Sequence, residues 1–67
     1  MTHNKALSNK RKEKKLSSKD VANFVEVHVD TYRRWERGDI QPSLGHLRKL
    51  CEMLQTTPEE IGFGGYA

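Results

Sequence analysis

Residues 28–37 read His-Val-Asp-Thr-Tyr-Arg-Arg-Trp-Glu-Arg, which sets three guanidinium groups within one short run. A guanidinium is a rigid fork of donors that matches phosphate or carboxylate oxygens two at a time, so such a cluster suits an anionic partner. The wider charge distribution agrees. Residues 1–37 hold ten Lys/Arg against five Asp/Glu, a net of +5, while residues 50–67 hold three acids and no Lys or Arg. A polyanion bound by the front half accounts for this asymmetry. A solvated helix face can carry the same charges, so the count alone does not decide.

Other chemistries find less support. His3, His28, His46 and Cys51 lack the spacing of a metal finger, and His46 and Cys51 are five residues apart, off one helical face. Cys51 falls on an apolar stripe and is expected in the core rather than as a nucleophile. No cofactor, metal or catalytic constellation is expected. With 67 residues there is one domain. A chain of that size buries only about 60% of its unfolded surface, which leaves little room for an enclosed cleft. Its 34% apolar and 31% charged residues suit a small domain with a charged surface. There is no apolar run near the ~18 residues of a membrane span. The basic stretch Met1 to Lys15 has no hydrophobic segment after it, unlike a signal peptide. A single cysteine cannot form an internal disulfide, so a cytoplasmic, reducing location is expected.

The elements that must position the arginines follow from periodicity and caps, and the pattern is all-α: a compact bundle of five short helices. A first helix is expected from about Ala6 or Asn9 to Lys15. Ser17 with Asp20 three residues on makes a capping-box start for a second, in which Val21, Ala22 and Val25 form the apolar face. Glu26-Val27-His28 is a non-periodic break. A third helix runs from Val29 to Arg37, with Tyr32 and Trp35 inward and Gly38 placed to end it in the left-handed region. After the loop from Asp39 to Pro42, Ser43 caps a fourth helix carrying the stripe Leu44, Leu47, Leu50, Cys51, Leu54. Thr57-Pro58-Glu59-Glu60 opens a short fifth helix through Ile61, stopped by Gly62, Gly64 and Gly65.

Two short helices joined by a three-residue break, the second rich in arginine, outline a DNA-binding helix-turn-helix. The residues sharpen this. Leu16-Ser17, Val21-Ala22, Val25, Val27, Thr31-Tyr32, Trp35-Glu36-Arg37-Gly38 and Pro42-Ser43-Leu44 resemble the Cro/phage-repressor (XRE-type) family. The likeness continues through Leu47, Leu50, Leu54, Thr57 to Glu60 and Ile61, and covers residues 7–64. Its most specific stretch is "TYRRWERGDIQPS". There are departures. Lys15 and Glu26 stand where the family usually has glycine with φ > 0, at a cost of about 1 kcal/mol each, which favours a redrawn turn. His28 replaces the usual Ser/Thr cap, Lys10 an apolar residue, and Phe24 a polar one.

The resemblance implies a transcriptional regulator, usually a repressor, whose recognition helix at 29–37 lies in the major groove. Carried over by position, Val29, Asp30, Thr31, Arg33 and Arg34 are the expected base readers. Ser17, Ser18 and Lys19 are expected on one strand's phosphates, and Arg37 and Gln41 on the other's. Arg11 and Glu36 correspond to a partly buried ion pair. Ile61 and Phe63, at the acidic, glycine-rich end, are expected to hold leftover apolar surface for a weak homodimer contact on a two-fold symmetric operator. Residues 1–8 read as an uncapped flexible arm, 9–64 as the domain and 65–67 as a tail, with "GFGGYA" resembling the start of a linker to a missing sensor. The alternative on the same fold is a protein-interaction module, such as a toxin-neutralising antitoxin or a bridging cofactor.

Overall fold

The computed structural model describes residues 4–63. Four α-helices follow in order: α1 Lys5–Glu13, α2 Ser18–Val25, α3 Val29–Arg37 and α4 Leu44–Leu54. A single 3₁₀ turn, Glu59–Ile61, takes the place of the expected fifth helix. The reason is length. Gly62 enters the left-handed region at φ 85° right after Ile61, leaving too few residues to close an i→i+4 ladder. Thr57 still contributes, its hydroxyl accepting from the Glu60 N–H at 3.4 Å.

The expected uncapped arm is corrected within the described residues. Asn4 caps α1, its Oδ1 accepting the Leu7 N–H at 3.0 Å. Asn4 is also held from outside. Its N–H donates to the Glu36 carbonyl at 2.7 Å and its Nδ2 to the Ile61 carbonyl at 2.8 Å. Residues 5–8 are therefore helix, and the tail at 65–67 lies outside the described residues. At the other end α1 stops at Glu13 rather than Lys15.

The remaining starts follow short polar side chains. Ser17 and Asp20 form a reciprocal box with both bonds at 3.0 Å, and Ser43 accepts from the His46 N–H. His28 does the same for α3 with a ring nitrogen, Nδ1 taking the Asp30 N–H at 3.1 Å. The helix ends share one device. Leu16, Val27, Asp39 and Thr56 each donate back to a carbonyl five residues earlier, across a residue at positive φ. Only α3 uses glycine for it. Lys15 (φ 58°), Glu26 (67°) and Gln55 (53°) adopt the left-handed region with side chains, so the expected redrawn turn does not occur. The Glu26 joint is tied to α4 by Lys49, whose Nζ reaches the carboxylate at 2.5 Å and holds it below its ordinary pKa.

α2 packs on α3 and α4, while α1 lies on the 3₁₀ turn and α3. The core is Leu7, Val21, Ala22, Val25, Tyr32, Trp35, Leu47, Leu50 and Leu54, closed by Ile61 and Phe63. The last two correct the expectation of leftover surface. Ile61 is 0% and Phe63 6% exposed, because α1 offers only Leu7 to the core and the segment after α4 fills the space beneath it.

Candidate nucleic-acid interface

The inner side of α3 is fixed by Tyr32 and Trp35, both buried, their rings edge-on with centroids 6.0 Å apart. Behind them lies a charged network. The Arg11 Nε donates to Glu36 Oε2 at 2.7 Å, its Nη1 to the Leu16 carbonyl at 2.8 Å, and the Tyr32 hydroxyl also donates to Glu36. Burial, then the neighbouring carboxylate, pushes the Tyr32 phenol far up, so it stays a donor. The bond to Glu36 raises the Arg11 pKa further. Arg11 and Glu36 thus brace α1 and the α1–α2 joint against α3, and neither charge is spare.

With its inner side held, α3 turns a charged arc outward. Asp30, Arg33, Arg34 and Arg37 are exposed, and Val29 and Thr31 are half-buried at its edges. An α-helix turns about 100° per residue, so Arg37 lies between the other two, about 40° from Arg33 and about 60° from Arg34. Arg33 and Arg37 line one groove with Ser18, the first residue of α2, whereas Arg34 does not. Ser18 and Arg37, expected on opposite strands, line the same groove. Acids partly engage this arc, with Arg33 3.9 Å from Asp30 and Arg37 3.3 Å from Asp39.

At the start of α2 the Ser17 hydroxyl is occupied by the Asp20 N–H, and this box lowers the Asp20 pKa. Lys19 is exposed beside it. Gln41 is exposed in the α3–α4 loop, on a second groove with Trp35, Gly38 and Ile40. Sequence reasoning passed over Lys5 and Ser8, which line the same groove as Arg33. The available signal was Asn4, a strong N-cap residue directly before them.

Among the described residues, no group of His, Cys, Asp and Glu could hold a metal, and no helix is long and apolar enough to cross a membrane. Cys51 is half-buried, and desolvation raises its thiol pKa, which suppresses the nucleophilic thiolate. A helix-turn-helix family model matches residues 7–61, most of the chain. The chain belongs to the helix-turn-helix family. Within it, the chain is of the Cro/phage-repressor (XRE) type, a class of DNA-binding, non-enzymatic transcription regulators. No curated protein and no solved structure matches it significantly.

Proposed function

We propose that this helix-turn-helix protein binds duplex DNA sequence-specifically and represses transcription, with α3 lying in the major groove. The observation that supports this most is the outer arc of α3, four exposed charged side chains on a helix whose inner face is locked by Tyr32 and Trp35. Arg34 suits the paired O6 and N7 acceptors of guanine, and the methyl groups of Val29 and Thr31 suit thymine. Asp30 accepts from cytosine N4 or rejects wrong sequences by repulsion. The N–H groups at the start of α2, with Ser17, Ser18 and Lys19, suit a phosphate, and Gln41 suits the backbone beyond α3. Two copies on a two-fold operator would set their α3 helices in successive grooves about 34 Å apart. That pairing is weak away from DNA and does not use Ile61 and Phe63.

Selection of bound duplexes from a random pool tests the reading. A motif with half-sites about one helical turn apart is expected. Arg34→Ala should lose about 1–3 kcal/mol at one base position of that motif. A pool that yields no enriched sequence overturns the reading in favour of a protein-interaction module.

A further inference from the structure

The groove beside α3 is open to solvent and has a volume of about 320 Å³. Three cations line it, Lys5 from α1 and Arg33 and Arg37 from α3, together with the hydroxyl residues Ser8 and Ser18. Glu36 is the acid on its wall, and that carboxylate already accepts from Arg11 and Tyr32. The groove is therefore cationic: its one lining carboxylate is neutralised from behind, and the exposed pairs of Arg33 with Asp30 at 3.9 Å and Arg37 with Asp39 at 3.3 Å are weak, open to exchange for a phosphate.

Its α1 wall is fixed in place. Asn4 caps α1 and is bonded to the Glu36 and Ile61 carbonyls, so Lys5 and Ser8 are carried on a helix end pinned to α3. Gly62 makes that close approach possible. A Cβ there would lie 2.9 Å from Asn4 Oδ1. α1 thus stands as a fixed wall of the arginine groove.

We propose that this groove seats a backbone phosphate of duplex DNA, with Lys5, Arg33 and Arg37 as its cations, and that Arg33 serves there rather than on a base edge. The proposal rests on the DNA-binding reading and adds α1 to the contact surface. It also separates the arginines of α3 by role. Arg33 and Arg37 act on charge, in the same groove as Ser18, while Arg34 does not line that groove and is left to read sequence. Phosphate contacts set register and carry no base information, so the two roles have different signatures.

The test measures affinity of the full chain, over a salt series, for the duplex selected from the random pool, its single-base variants and a mixed-sequence duplex. Lys5→Gln and Arg33→Gln are each expected to weaken all of these several-fold by a common factor and to lower the log–log salt slope by about 0.9. Both side chains are exposed, so melting temperatures should hold and confirm that folding is intact. Replacing single phosphates of the selected duplex by neutral methylphosphonates then locates the seat. At one phosphate the wild type should lose affinity while Arg33→Gln loses no more. A loss confined to one base pair for Arg33→Gln makes Arg33 a base reader and overturns the proposal. Unchanged affinity and slope for Lys5→Gln overturn the part played by α1. A wild type that shows no salt-dependent duplex binding overturns the DNA-binding reading itself, a result distinct from both.

Discussion

Glu36 is the residue on which three segments converge. Its carboxylate accepts from Arg11 Nε and from Tyr32, while Arg11 reaches on to the Leu16 carbonyl between α1 and α2. The two charged side chains are 14% and 15% exposed, so each has lost most of its hydration. Such a pair adds little net stability over an apolar replacement, but removing one partner strands the other. Glu36→Gln keeps the shape and one acceptor oxygen and removes the charge, which leaves Arg11 unneutralised at a cost of about 2–3 kcal/mol. A domain of this size has about 3–10 kcal/mol in total, so the melting temperature should fall by ten degrees or more. An unchanged melting curve defeats this account. The Arg11–Glu36 pairing could be carried over from the family resemblance. Tyr32 as its third member could not, because apolar spacing marks a tyrosine as core without saying where its hydroxyl ends.

At the scale of elements, the starts and ends of helices differ in how legible they are. Ser17 and Ser43 announce α2 and α4 because a short polar side chain precedes an apolar stripe, and Gly38 announces the end of α3. Asn4 was passed over because α1 has no such stripe and buries only Leu7. Lys15 and Glu26 argued for a redrawn turn because side chains resist positive φ. The structure keeps the left-handed joints, since each returns a backbone N–H to a carbonyl near the end of its helix. Three side-chain-bearing residues at positive φ then store strain of about 1 kcal/mol apiece. Lys15→Gly is the direct check, because the Glu26 and Gln55 side chains also bond to lysines. It should raise stability by up to about 1 kcal/mol, net of the freer unfolded chain, seen as a melting point several degrees higher. A lower melting point means that the Lys15 side chain contributes more than its backbone costs.

The whole molecule is closed by its last described residues. α4 supplies Leu47, Leu50 and Leu54, yet the space beneath α1 is filled by Ile61 and Phe63, with Asn4 bonded across to the Ile61 carbonyl. The sequence could not show this, because whether a terminal apolar pair faces inward depends on how much core the other helices leave unfilled. Truncating a buried phenylalanine costs about 3–5 kcal/mol, and a carboxylate in its place adds a desolvation penalty. Phe63→Asp should therefore remove most of the domain's stability, and binding to half-sites and full sites should weaken by the same factor, the folded fraction. Leu44 is the control. It is 52% exposed in the first turn of α4, where an added carboxylate meets the helix dipole favourably. Leu44→Asp should leave the melting temperature within a few degrees of the wild type. If Phe63→Asp melts like the wild type and loses only cooperativity between half-sites, Phe63 belongs to an interface between two copies and not to the core of one.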